Sequence, residues 1–106
     1  LAPIFLLIRL APISMYIFRM PRCTHTNQIK KVTAHSKGCE DCLKIGDTWV
    51  HLRLCMTCGH VGCCDSSKNK HATKHFHSVG HPIIKSFEPG EDWGGCFVDE
   101  VELEFG

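Results

Sequence analysis

Residues 55–82 read CMTCGHVGCCDSSKNKHATKHFHSVGHP and contain more candidate metal ligands than a single zinc ion can use. Part of this stretch, Cys55-x2-Cys58-x12-His71-x3-His75, has the spacing of a DNA-reading finger with two cysteines and two histidines. That spacing leaves two further cysteines and the histidine near the end of the stretch unused. The stretch therefore predicts more than one metal site.

A DNA-reading finger also needs a small apolar core between its strands and its helix. The positions that would carry an aromatic residue and a leucine are occupied by Gly62 and Lys68. Without those side chains a unit of about thirty residues has nothing to bury and cannot aim a helix into a groove. The formal net charge of +1 also provides no basic footprint for phosphates. Nucleic-acid binding is therefore disfavoured.

Eight cysteines and eight histidines in 106 residues indicate zinc chemistry. Two tight pairs, Cys39-x2-Cys42 and Cys55-x2-Cys58, have the spacing with which a chain folds over one zinc ion. A secreted domain stapled by disulfides is the alternative for a short chain with an even number of cysteines. The tight pairs favour zinc, and zinc thiolates imply a reducing compartment, with the cytoplasm as the default.

Residues 1–20 form an apolar leader whose composition differs from the rest of the chain. Arg9 interrupts its apolar run, and the uncharged stretch 10–18 is far shorter than the ~20 residues that span a bilayer. A secretory signal would have a continuous apolar run. We expect this leader to be either disordered or not native, with Met20 as an alternative start and a membrane-surface anchor as the weaker hypothesis. Residues 21–106 are expected to form one domain.

The remaining sequence predicts an α+β fold in which one helix packs on a twisted antiparallel sheet. The helix is predicted over about 67–79, because Asp65 or Ser66 can cap its start and Gly80 can end it. Alternating apolar side chains and turn residues predict strands at 48–54 and 83–87, and one or two more strands over 97–98 and 101–105.

Spacing alone does not assign the ligands to sites. The pairs Cys39/Cys42 and Cys55/Cys58 each need two partners for a tetrahedral site. His71 and His75 are one helical turn apart, so they face the same side of the predicted helix and could share one ion. The candidate ligands are Cys23, His25, Cys39, Cys42, Cys55, Cys58, Cys63, Cys64, His71, His75, His81 and Cys96.

The order of motifs between Cys23 and Asp99 resembles the UBP-type zinc finger of ubiquitin-specific proteases, and its short stand-alone bacterial members most of all. The motifs are C-x-H, C-x2-C, a strand bearing tryptophan, C-x2-C-x4-C, H-x3-H-x5-H-P and a late C-x2-D. The resemblance implies three interleaved zinc sites. Site A would be Cys39, Cys42, Cys63 and His71; site B would be Cys55, Cys58, His75 and His81; site C would be Cys23, His25, Cys96 and Asp99. Cys64 is then left over, and we expect it to be a small buried side chain.

The resemblance also implies binding of the free carboxyl-terminal Gly-Gly tail of ubiquitin. Trp49 matches the tryptophan of the family, and Arg53, predicted on the same strand face, could receive a carboxylate. Asp65 stands where tail-binding relatives carry arginine, and Gly95 and Phe97 replace aromatic or tyrosine groups around the last cysteine. The tail pocket is therefore altered. The candidate peptide-binding residues are Trp49, Arg53, Asp65 and Phe97.

These observations predict a protein-interaction module and not an enzyme. Three closed tetrahedral sites leave no open metal position, and no nucleophile and base remain after the ligands are assigned. The expected partner is a protein or peptide carboxyl terminus, ubiquitin-like tails included. The alternative is a purely structural zinc domain without a tail pocket, while nucleic-acid and membrane partners are disfavoured.

Overall fold

The computed structural model describes residues 22–105, so the predicted leader at 1–20 lies outside the described residues. The described part has a five-stranded antiparallel sheet and two α-helices, which confirms the α+β class. The longest helix among residues 22–105 has nine residues, so none of the helices described there could span a membrane.

The first element of the described residues is a short 3-10 helix, Thr26–Gln28. Two α-helices follow: α1, Glu40–Ile45, and α2, His71–Val79. The strands are β1, Leu52–Cys55; β2, Val61–Cys63; β3, Ile83–Ser86; β4, Trp93–Cys96; and β5, Val101–Glu104. Their order in the sheet is β2-β1-β3-β4-β5, and every neighbouring pair is antiparallel.

The helix expected over 67–79 begins at His71 instead of near residue 67. Lys70 precedes it in the left-handed conformation with φ of 49°, and no side chain caps the first turn. Asp65 and Ser66 lie in the loop before the helix, so neither of them caps it, and that prediction was wrong. Gly80 ends the helix as expected, with a left-handed φ of 75° that glycine adopts without strain.

Helix α1 was not predicted from the sequence, which indicated a single helix. Six residues are too few to show a hydrophobic period, so propensity and pattern give little signal for this helix. It forms around the first cysteine pair: the Cys39 sulfur caps it by accepting a hydrogen bond from the Cys42 amide. Gly46, in the left-handed region, ends it.

Two strands lie at different positions from those expected. The strand placed at 48–54 begins only at Leu52, so Trp49 and His51 precede it and the alternation of faces does not extend to them. The strand placed at 97–98 is wrong: residues 97–100 form a turn into β5, and a strand that was not predicted, β4, precedes them at Trp93–Cys96. The W-G-G-C sequence of β4 has no apolar alternation, which is why its pattern gave no prediction.

The buried core is built largely from cysteines. Its central residues are Cys39, Cys42, Leu52, Val61 and Cys63, and Ala34, Trp49, Leu54 and Phe87 pack around them. An apolar cluster this small stabilises a domain only modestly. A metal ion bound by these thiol groups would therefore lie within the core.

Helix α2 lies close against the sheet at Gly62 of β2. A Cβ atom at that position would come within 2.7 Å of the Ala72 backbone nitrogen. Glycine therefore allows the first turn of α2, which begins with His71, to approach Cys63 at the end of β2.

Candidate metal centres and ligand cavity

Site A forms where α1, β2 and α2 meet. Cys39 caps α1 and Cys42 lies within it, Cys63 ends β2, and His71 begins α2. The candidate ligand atoms of these four residues all lie within 4.8 Å of one another. The three cysteines are buried, and His71 is half-buried. The structure therefore brings together the complete set predicted for site A.

The distances within site A fit a tetrahedral zinc ion. The sulfurs of Cys39 and Cys42 each lie 3.3 Å from His71 Nδ1, and the Cys63 sulfur lies 3.6 Å from it. The sulfurs of Cys42 and Cys63 are 3.9 Å apart. Zinc bonds of ~2.3 Å to sulfur and ~2.0–2.1 Å to nitrogen would hold such atoms roughly 3.6–3.8 Å apart.

The surroundings of Cys39 disfavour its thiolate when no cation is bound at site A. Burial raises the pKa of the Cys39 thiol to about 12, and the neighbouring thiols of Cys42 and Cys63 act in the same direction. The Cys39 thiol therefore stays protonated at neutral pH unless a positive charge stabilises its thiolate. Backbone amides already donate to the sulfurs, from Cys42 to Cys39 at 3.4 Å and from His71 to Cys63 at 3.2 Å.

Site B joins the other cysteine pair to the far part of α2. Cys55 ends β1 and Cys58 follows in the next turn, while His75 lies in α2 and His81 comes directly after the helix. The Cys58 sulfur is 3.4 Å from His75 Nε2, and the Cys55 sulfur is 3.6 Å from His81 Nδ1. All four candidate ligand atoms lie within 4.8 Å of one another.

The histidines of α2 serve different sites, although they are one helical turn apart. His71 faces the sulfurs of site A, and His75 faces those of site B. Burial lowers the pKa of His75 to about 4, and the neighbouring rings of His60 and His81 lower it too. The His75 ring is therefore neutral at pH 7, which is the state that binds zinc.

Site C links the start of the described chain to the end of the sheet. Cys23 and His25 precede the 3-10 helix, Cys96 ends β4, and Asp99 lies in the turn before β5. His25 Nδ1 lies 3.0 Å from Asp99 Oδ2 and 3.6 Å from the Cys96 sulfur. The four candidate ligand atoms again lie within 4.8 Å of one another.

Asp99 has a second set of contacts besides those of a metal ligand. Its Oδ2 accepts hydrogen bonds from the Thr24 amide at 2.7 Å and from the Thr24 hydroxyl at 3.0 Å. The Thr24 amide is the main cause that lowers the pKa of Asp99, and His25 adds to the effect. The carboxylate is therefore ionised at neutral pH, as a zinc ligand must be.

Three of the four predicted peptide-binding residues line one cavity. Arg53, Asp65 and Phe97 surround a space of about 240 Å³ between the sheet and the first turn of α2. Cys64 and Ile84 also line it, with Ser66, Ala72 and Thr73. The structure thus collects side chains from the sheet, the loop before α2 and the turn after β4 around a single opening.

The charged side chains of this cavity are held by neighbours. The Arg53 guanidinium lies 4.6 Å over the centre of the Trp93 ring, a cation–π contact, and it donates to the Leu52 carbonyl at 2.9 Å. Asp65 accepts a hydrogen bond from the Thr73 hydroxyl. The cavity therefore has a cationic side and an anionic side.

Trp49 is not among the residues that line this cavity. Its ring packs against the buried core and lies against Gly38, where a Cβ atom would come within 2.7 Å of the ring. The other tryptophan, Trp93, contacts the cavity residue Arg53, and the sequence did not single it out because no strand was predicted at Trp93–Cys96.

The comparison with known families decides the identity of the domain. The family described as "Zn-finger in ubiquitin-hydrolases and other protein" matches residues 39–104. The chain belongs to this family of UBP-type zinc fingers. The matched range contains all of sites A and B, together with Cys96 and Asp99 of site C. The resemblance seen in the sequence is confirmed, and the UBP-type finger has three Cys/His-rich sites that could hold zinc.

The chain is similar to much longer proteins. It is 29% identical over 85 residues to ubiquitin carboxyl-terminal hydrolase 44 from Ailuropoda melanoleuca, covering 74% of this chain and 11% of that protein. It is 38% identical over 60 residues to the NAD-dependent deacetylase sir2A from Dictyostelium discoideum, covering 57% and 10%. The chain therefore spans about a tenth of the length of these relatives.

A solved structure of similar size supports the fold of this UBP-type finger. The solution NMR structure of protein RPA1320 from Rhodopseudomonas palustris is 58% identical, with a TM-score of 0.74. The match covers 81% of this chain and 84% of that one.

The remaining histidines differ in their surroundings. His35, His51 and His77 are exposed, whereas His60 is buried. His60 lies against site B of the UBP-type finger, with its ring stacked on that of His75. Nothing in the spacing of His60 marks it, because its partners come from a distant helix.

Proposed function

We propose that this chain is a zinc-structured module that binds a protein or peptide carboxyl terminus and carries no catalytic activity. Sites A, B and C hold one zinc ion each, with the ligands Cys39, Cys42, Cys63 and His71; Cys55, Cys58, His75 and His81; and Cys23, His25, Cys96 and Asp99. Four protein donors fill a tetrahedral zinc ion, so no position remains for a reactive water. The zinc ions stabilise the fold, and the surface performs the binding.

The convergence of Arg53, Asp65 and Phe97 on one cavity carries this proposal. Arg53 supplies the cationic group that a carboxylate needs, and the Trp93 ring holds its guanidinium in place. Phe97 stacks on Phe76 of α2 with ring centres 4.8 Å apart, which gives the cavity a rigid aromatic wall. A cavity with one cation and one aromatic wall suits an extended peptide end that carries a free carboxylate.

Asp65 weakens the match to the ubiquitin tail. It places a negative charge where the resemblance implies an arginine, and it repels a carboxylate entering beside it. Its hydrogen bond from Thr73 holds the side chain at one edge of the cavity. We therefore expect a free tail to bind through Arg53 alone, more weakly than in relatives with two cationic donors.

A purely structural role is the second candidate, and Asp65 is the observation that favours it. In that case the domain would connect or shape a larger assembly without gripping a free tail. Both candidates require thiolates, and none of the eight cysteines, all within 22–105, is in a disulfide. A reducing compartment such as the cytoplasm fits either role.

Titration calorimetry with a peptide ending in Gly-Gly and with its amidated twin tests the proposal. We expect the free acid to bind about tenfold more tightly, because a hydrogen bond to a charged group contributes ~1.5–3 kcal/mol. Arg53→Gln should abolish that preference, whereas Lys30→Gln, an exposed cation that does not line the cavity, should leave it unchanged.

The variant Asp65→Arg supplies the missing donor and should increase the preference for the free acid further. Equal binding of the two peptides to the native chain, or no binding of either, would favour the structural role.

A further inference from the structure

His60 is a buried histidine that belongs to none of the three predicted metal sites. It is 8% exposed, and its ring lies flat on the ring of His75, with centres 3.9 Å apart and planes 1° from parallel. The Cys58 sulfur is 3.4 Å from His75 Nε2, so the stacked ring covers a face of a site B ligand. The backbone carbonyl of His60 also accepts from the Cys55 amide at 2.8 Å.

Carboxylates on α1 hold the other side of His60. Its Nε2 lies 2.7 Å from Asp41 Oδ2 and 3.5 Å from Glu40 Oε1. Both carboxylates lie in the first turn of α1, directly after Cys39 of site A. The position of the His60 ring is therefore fixed by the helix that site A anchors, although the ring packs on site B.

A ring in this position restricts how His75 can turn. A zinc-bound imidazole must keep its nitrogen aimed at the metal, and groups around the ligand normally fix that orientation. The stacked face of His60 opposes rotation of the His75 ring out of its plane. The short contact with Asp41 in turn prevents His60 from moving away.

We propose that His60, held by Asp41, is a positioning residue for site B that keeps the His75 ring aligned with the metal. This inference rests on the proposed zinc site B. Through Asp41 and His60, helix α1, which carries ligands of site A, is connected to His75, a ligand of site B. Loss of the link should weaken zinc retention at site B selectively, by about tenfold, the lower end of the effect of removing such supporting groups.

The test compares zinc release from full-length native chain, His60→Ala and His35→Ala in the presence of a chelator. Release from each site is followed through the carbon-13 shifts of Cys58 Cβ for site B and Cys42 Cβ for site A. We expect His60→Ala to release zinc from site B about tenfold faster than the native chain, with little change at site A. His35→Ala is the matched control, because His35 is half exposed and lies 3.4 Å from Glu40 without stacking on a ligand.

Two further variants separate positioning from general stability. His60→Phe keeps a flat ring over His75 and should restore part of the slow release, and Asp41→Asn should show an intermediate rate. Equal acceleration at sites A and B in His60→Ala would overturn the inference, as would a rate like that of His35→Ala. Native mass spectrometry of the unmodified chain tests the underlying proposal separately: fewer than two bound zinc ions would refute the sites themselves.

Discussion

Sites A and C have the same number of donors but different surroundings. In site A the three cysteines are fully buried, each with 0% exposure, and only His71 is half-buried. In site C only Cys96 is buried, and the other three donors are partly exposed. The donors differ as well, because site C replaces one thiolate with the carboxylate of Asp99.

The two sites also join different parts of the molecule. Site A connects α1, β2 and α2 inside the core, whereas site C fastens the segment around His25 to the turn at Asp99, 74 positions away in sequence. A metal at site A therefore replaces apolar packing that the small core lacks. A metal at site C closes a long loop at the periphery. The comparison teaches that similar ligand sets can determine the fold in one place and only restrain its edge in another.

The largest effect should follow loss of site A. We expect Cys42→Ser, or removal of all zinc with a chelator, to unfold residues 22–105. A structural zinc site contributes ~10–16 kcal/mol in apparent terms, which is as large as the ~5–15 kcal/mol net stability of a typical domain. Proton NMR dispersion and circular dichroism measure the outcome.

Cys64→Ser is the matched control for that experiment. Cys64 is buried beside Cys63 but belongs to none of the candidate metal groups among residues 22–105, and its sulfur contacts the Ser67 hydroxyl at 3.5 Å. This variant should remain folded with its zinc bound. A chelated native sample that keeps its NMR dispersion would show that zinc is not required for the core.

The candidate metal ligands and the secondary-structure elements differ in how well the sequence predicted them. The candidate ligands could be selected because most of them are cysteines and histidines, and their order along the chain resembles that of a known family, which grouped them into sites A, B and C. Helix α1 could not, because a cysteine cap and its partners form it without any hydrophobic period. The start of β1 could not either, since Trp49 and His51 continue the alternation in sequence but lie outside the sheet.

The contacts around the sites were still less accessible from sequence. His60 meets Asp41 across 19 positions, and neither residue lies in a motif. The partner of Arg53 is Trp93, which lies two strands away across the sheet. Such pairs depend on how elements pack, and spacing along the chain does not determine packing. Sequence therefore predicted the candidate donors, and the structure was needed for the residues that contact them.

Loss of site C should have a smaller, local effect. We expect Cys96→Ser to release the segment around Cys23 and His25 and the turn at Asp99, while α1, α2 and the site A core stay folded. Hydrogen exchange measured by NMR should show lost protection for residues 23–29 and 97–101 only. If the whole domain unfolded instead, site C would be as necessary for the fold as site A, and the proposed difference between the two sites would be wrong.

The smallest effect, and the sharpest test of site C, concerns the role of Asp99. As a zinc ligand it can be replaced by a thiolate, so Asp99→Cys should retain zinc at least as strongly as the native chain, and Asp99→Asn should lose it more readily. If Asp99 served only as a hydrogen-bond acceptor for Thr24 and His25, asparagine would largely replace it, because its amide oxygen also accepts, whereas cysteine would replace it poorly, because sulfur is a weak acceptor. Zinc occupancy by native mass spectrometry during chelator titration separates these outcomes: a third ion lost earlier from Asp99→Cys than from Asp99→Asn would remove Asp99 from the coordination shell.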